Sequence, residues 1–134
     1  MINKTALLFP GEGSQWDGMG NDVYRNYKTA REIYDKACEI LKLNRIEGSS
    51  LPFDANDLKI TYNQQIAIFV TNHVFYELSR QRLPDLQYVA TAGHSLGEYN
   101  ALVASGALGF EEALKLVQKR VSICMKFLQE LMAD

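Results

Sequence analysis

Histidine, cysteine and proline are scarce in this chain, with two, two and three copies among 134 residues. Cys38 and Cys124 lie far apart and match no metal-ligand spacing, so no metal is expected. Both fall on apolar positions of helical stretches, which reads as buried thiols in a reducing, cytoplasmic setting. Charge of one sign is lacking too. Fourteen Lys and Arg against 16 Asp and Glu give a formal net charge of -2. No basic run or arginine stripe offers a surface for nucleic acid. No apolar run is long enough to cross a bilayer, and the N-terminus has no signal-peptide pattern. Repeats and low-complexity segments are missing. At 47% hydrophobic and 22% charged, the composition is that of a soluble globular domain with one modest core.

What is present is an alternation of strand and helix signals. Residues 4–9 read as a strand, and Met1-Ile2-Asn3-Lys4 runs straight into it, which favours a free-standing start. Val23, Tyr27, Ala30, Tyr34, Ala37 and Leu41 recur at helical spacing and predict one amphipathic helix over 21–43. Gly48-Ser49-Ser50 and Pro52 break the stretch 44–60. Thr61 to Gln64 reads as a capping box. The helix it opens, Gln65 to about Ser79, is apolar almost all round and should be buried. A strand follows near 88–93, then a short helix ending near Gly106. A last helix opens near Glu111 and Glu112, with Val117, Val121, Cys124, Leu128 and Leu131 as its apolar stripe. Strands separated by helices imply a parallel α/β sheet.

Gly93-His94-Ser95-Leu96-Gly97 sits between the second strand and the helix after it. Gly-x-Ser-x-Gly in that setting is a nucleophile elbow. Small residues flank a serine held at a strained turn, and the turn pushes its hydroxyl out of the sheet. The following helix N-terminus supplies main-chain N–H groups for a developing oxyanion. An ordinary strand-to-helix turn is the alternative. A second glycine-rich loop, Pro10-Gly11-Glu12-Gly13-Ser14-Gln15, follows the first strand. It lacks the Gly-Lys-Ser/Thr ending of a P-loop and the spacing of a dinucleotide fold.

Together the two stretches resemble the malonyl-CoA:acyl carrier protein acyltransferase family. Phe9-Pro10-Gly11-Glu12-Gly13-Ser14-Gln15 is similar to that family's Phe-Pro-Gly-Gln-Gly-Ser-Gln opening, and Gly93 to Glu98 match its Gly-His-Ser-Leu-Gly-Glu core. Asn63-Gln64-Gln65-Ile66-Ala67 is similar to its Thr-Gln-Pro-Ala segment, and Ala104 to Leu108 agree after the elbow. The resemblance implies a partial α/β-hydrolase-like parallel sheet with flanking helices. Residues 1–134 would be the N-terminal part of the large subdomain, without the ferredoxin-like small subdomain and the C-terminal part.

The resemblance also implies roles. Ser95 would attack malonyl-CoA, form an acyl-serine, and pass the malonyl group to the phosphopantetheine thiol of an acyl carrier protein in fatty-acid or polyketide synthesis. No bound cofactor is implied; malonyl-CoA is substrate. The backbone N–H groups of Glu12 and Leu96 would form the oxyanion hole. Glu12 stands where the family has glutamine, and a carboxylate beside an oxyanion is repelled. Its side chain either turns away, to a cation or to solvent, or is held protonated, and the expectation is that it turns away. Arg120 matches the arginine that pairs with the malonyl carboxylate, and its place between Val117 and Cys124 puts it near the apolar stripe. A structural ion pair with a nearby Glu is the alternative. His94 is expected to line the pocket, Gln64 to touch it by resemblance only, and His73 to be a core histidine. Gln15 and Trp16 are expected to brace the glycine-rich loop, and Lys119 to be solvated.

The family's general base is a histidine far downstream, and neither histidine here suits that role. Three explanations stand open: a truncated piece, one part of a split enzyme whose other chain is its partner, or a degenerate protein acting by association. Acyl-thioester hydrolysis is the alternative chemistry, with Arg120 arguing against it. A piece of this kind should leave a sheet edge and an apolar face uncovered.

Overall fold

The computed structural model describes residues 4–133, so Met1, Ile2 and Asn3 lie outside the described residues. The main elements follow in the order β1 (Lys4–Phe9), α1 (Asn21–Asn26), α2 (Lys28–Leu41), α3 (Thr61–Arg82), β2 (Gln87–Gly93), α4 (Gly97–Ala104) and α5 (Phe110–Met132). β1 and β2 pair in parallel, from Lys4 opposite Gln87 to Phe9 opposite Gly93. A parallel pair needs a crossover, and α1 to α3 provide it. The register slips between Thr5 and Ala6, where β2 carries Val89 as an extra residue.

The core centres on α3. Ile66, Ala67, Ile68, Phe69 and Val70 are all buried, as expected of a helix without a polar face. Ala30, Tyr34 and Ala37 of α2 and Ala113, Leu114, Val117 and Val121 of α5 complete it. The buried Tyr34 hydroxyl and Thr71 Oγ1 share a hydrogen bond of 2.8 Å, which satisfies both.

Four expectations need correction. The helix over 21–43 is two helices, because Tyr27 is extended (φ -125°, ψ 124°). Arg31 Nη1 donates to the carbonyls of Tyr24 (3.3 Å) and Arg25 (3.0 Å), which the break leaves without helical partners. The capping box at Thr61 does not form. Ile60 is the flanking residue, its carbonyl already accepts the Gln64 N–H, and no side chain caps α3. α3 also runs past Ser79 to Arg82. Cys124 is exposed while Cys38 is buried. The apolar period of α5 continues past Val121, but no buried residue of that helix follows Val121.

The uncovered apolar surface expected of a partial sheet is present. Leu8 is 76% exposed and Val89 58%, on strands that have only each other as partners among the described residues. Phe127, Leu128 and Leu131, towards the C-terminal end of α5, are exposed as well.

Candidate active site

The β2–α4 connection is shaped by close backbone packing. A Cβ on Gly93 would overlap the carbonyl group of Gly97, and a Cβ on Gly97 would overlap the Phe9 carbonyl. With no side chain at either position the turn closes tightly. The His94 N–H donates to Phe9 O at 3.1 Å, the Gly97 N–H to His94 O at 2.9 Å, and the Glu98 N–H to Ser95 O at 3.1 Å. Ser95 sits at the apex with φ 51°, left-handed for a residue with a side chain. Such a conformation costs on the order of 1–3 kcal/mol and persists where the surroundings over-determine it. It leaves the serine exposed.

Arg120 reaches that apex from α5. Its Nη2 donates to Ser95 Oγ at 2.9 Å, and its guanidinium carbon lies 5.6 Å from the centre of the Tyr99 ring. The buried Val117 and Val121 on the same helix face fix where the arginine emerges. No carboxylate lies within ion-pair distance of Arg120 among the described residues, so the structural ion pair left open by periodicity is not seen. Its Nη1 is buried and has no acceptor among the described residues. A buried guanidinium nitrogen without an acceptor is costly, while Nη2 is the nitrogen that faces Ser95.

The loop after β1 lies opposite the elbow. Its turn is held by Ser14 Oγ donating to Gly11 O (2.8 Å) and by Gln15 Oε1 accepting the Gly13 N–H (2.9 Å). The Glu12 and Leu96 N–H groups both lack an acceptor among the described residues. One lies on the loop and the other at the start of α4. The Glu12 carboxylate turns to a neutral partner, not a cation: Gln65 Nε2 donates to its Oε2 at 3.3 Å. Gln65 is buried, and its Oε1 has no partner among the described residues.

The histidines stay apart from the serine hydroxyl. His94 is exposed, its ring lies against Gly11, and it makes no hydrogen bond to Ser95 among the described residues. His73 is buried on α3 and stacks on Phe110 at 4.3 Å between ring centres. Burial, helped by nearby Arg80, lowers its pKa to about 4, so it is neutral near pH 7. Gln64 makes no side-chain hydrogen bond among the described residues; the neighbouring Gln65 is the one that touches the loop. Glu98 is exposed in the first turn of α4, and Trp16 and Lys119 are exposed.

Three residues at the site escaped the sequence reading: Gln65, Asn72 and Asn100. Asn72 Nδ2 donates to Pro10 O and to Asn100 Oδ1, both at 3.1 Å, and Asn100 Nδ2 donates to Phe69 O at 2.9 Å. The available signal was a polar residue on an otherwise apolar helix.

Residues 6–130 match the acyl transferase domain family. The malonyl CoA-acyl carrier protein transacylase of Bacillus subtilis (strain 168) is 45% identical over 123 residues, covering 89% of this chain and 37% of that protein. The solved structure of MCAT from Streptococcus pneumoniae is 42% identical with a TM-score of 0.78, covering 89% of this chain and 38% of its own. A malonyl-transacylase solved with its type II PKS acyl-carrier protein is 26% identical, also with a TM-score of 0.78, covering 92% and 40%. The chain thus spans less than half the length of these relatives. A strained exposed serine, two free amides and an arginine on the serine oxygen agree with the match along almost the whole sequence: the chain belongs to the acyl transferase domain family.

Proposed function

We propose that this chain is the N-terminal part of the large subdomain of an acyltransferase that moves a malonyl group from coenzyme A to the thiol of an acyl carrier protein. The ferredoxin-like subdomain and the C-terminal part would lie outside it. The observation that carries the reading is the 2.9 Å contact between Arg120 Nη2 and Ser95 Oγ. It places an uncompensated cation within reach of the free carboxylate of an acyl group attached to that oxygen.

In the first half-reaction Ser95 Oγ attacks the thioester carbonyl carbon. The carbonyl oxygen takes the negative charge and is held by the N–H groups of Glu12 and Leu96. The carbon–sulfur bond then breaks, leaving a malonyl ester on Ser95 and a coenzyme A thiolate. The serine proton passes through a base to that thiolate. In the second half-reaction the carrier thiol attacks the ester, its proton returns to Ser95 Oγ, and the carrier leaves with the malonyl group. His73 is stacked in the core and His94 makes no bond to the serine, so the base is assigned to the downstream part, as the family resemblance implies.

Arg120 holds the malonyl carboxylate through both half-reactions, with its guanidinium beside the acyl oxygen. By the family resemblance, His94, just before the nucleophile, would line the acyl pocket and Gln64 would touch it. The relatives are named transacylases, which supports transfer to a carrier thiol over hydrolysis. No helix among the described residues is long and apolar enough to cross a membrane. A cytoplasmic setting suits two unpaired cysteines.

The test joins the chain to the downstream sequence of the Bacillus subtilis relative. Movement of a labelled malonyl group from coenzyme A to a holo carrier protein is then followed. Transfer that Ser95→Ala abolishes supports the reading, and transfer that survives Ser95→Ala overturns it.

A further inference from the structure

Two segments far apart in sequence must hold their free amides at a fixed separation for one oxyanion to use both. Leu96 is tied to α4, whereas Glu12 sits on a loop. The main-chain link between these segments is the His94 N–H on Phe9 O. The next loop residue, Pro10, has no N–H to continue the ladder. Main-chain pairing between the strands therefore stops at Phe9, three residues before Glu12.

Asn72 occupies that gap. Its Nδ2 carries two hydrogens, and two acceptors stand at 3.1 Å: Pro10 O on the loop and Asn100 Oδ1 on α4. Asn100 is 2% exposed, and its own Nδ2 donates to Phe69 O of α3 at 2.9 Å. The amide pair thus links loop, elbow helix and core helix. Both hydrogens of Asn72 Nδ2 have acceptors.

We propose that Asn72, seated by Asn100, is a positioning residue that fixes the separation of the two oxyanion amides. It touches neither Ser95 nor a substrate carboxylate and acts through the Pro10 carbonyl. The proposal rests on the acyl-serine reading for its kinetic consequence but not for its structural one. A displacement of about 1 Å at a reacting centre can cost on the order of a hundredfold in rate. An oxyanion contact formed only in the transition state changes kcat and leaves KM in place.

The experiment uses Asn72→Leu, which keeps much of the volume and removes both donors. In the enzyme completed with the Bacillus subtilis downstream part, malonyl transfer should lose about tenfold or more in kcat, with KM for malonyl-CoA within about twofold. In the 134-residue chain itself, the amide resonances of Gly11, Glu12 and Gly13 should move or broaden while those around Arg120 stay in place. Asn72→Ser, with one hydroxyl donor for two acceptors, should fall between parent and Asn72→Leu on both readouts, and it serves if Asn72→Leu does not fold. Unmoved loop resonances, or an unchanged kcat, overturn the proposal. So does a rise in KM matching the loss in kcat. If transfer instead survives Ser95→Ala, the acyl-serine reading fails while the loop resonances still decide the role of Asn72.

Discussion

Arg120 Nη2 donates to Ser95 Oγ across 2.9 Å, joining α5 to the exposed apex of the elbow. The contact gives the serine oxygen a cationic neighbour whose other terminal nitrogen has no acceptor among the described residues. On the proposed function, this predicts selectivity for a diacid cargo. In the completed enzyme Arg120→Ala should cut kcat/KM for malonyl-CoA by about ten- to a hundredfold, the range of one charged hydrogen-bonded contact. Loading from acetyl-CoA, which has no second carboxylate, should fall much less. Equal losses for the two substrates would show that Arg120 does not read the carboxylate.

His73 ties stability to pH. Its pKa is about 4 in the folded chain, against an ordinary value near 6.5 once unfolded. Between those values the unfolded chain binds the extra proton. The stability this group contributes is therefore whole above about pH 6.5 and lost as pH falls toward 4. The loss is on the order of 3 kcal/mol over that window. His73→Phe, which keeps an aromatic ring against Phe110, should flatten this part of the profile in urea unfolding at pH 7 and pH 5. An unchanged slope would mean that His73 is not held neutral.

Gln65 sets stability against positioning. Its buried Oε1 has no partner among the described residues, a condition that costs about 1–3 kcal/mol. Gln65→Leu should raise the urea midpoint or leave it in place. It should also free the Glu12 carboxylate and slow malonyl loading, and adding Glu12→Gln in that background should recover the rate. A lower midpoint, or a double variant as slow as Gln65→Leu alone, would contradict this.

The two thiols should separate cleanly. Cys38 is buried and Cys124 exposed, so a thiol reagent should titrate one cysteine quickly in the native chain and both in denaturant. Cys124→Ser should remove the fast phase. Two fast phases in the native chain would show that the packing around Cys38 is looser than described.

Much of the site was legible because it is local. Gly93, Ser95 and Gly97 determine one another's backbone within five residues, whereas Arg120 was marked by the family resemblance, its place between Val117 and Cys124 alone leaving a structural ion pair open. The sheet pairing was equally plain, since two apolar strands separated by helices have few other ways to meet. Other features were not local. Asn72 and Asn100 meet only once α3 and α4 pack, and nothing in either stretch names the other. Tyr27 keeps the helical period of its neighbours while its backbone leaves the helix, with the Arg31 guanidinium taking the freed carbonyls. Cys124 shows the converse limit. Periodicity tells which face of α5 is apolar and not how far along that face another element lies.

The most direct test of the central claim is the intact mass of the completed enzyme, quenched after brief exposure to malonyl-CoA, with the modified peptide then sequenced. One malonyl increment on the peptide containing Ser95, absent in Ser95→Ala, is the predicted result. A malonyl group on any other residue, or an increment unchanged in Ser95→Ala, would contradict it.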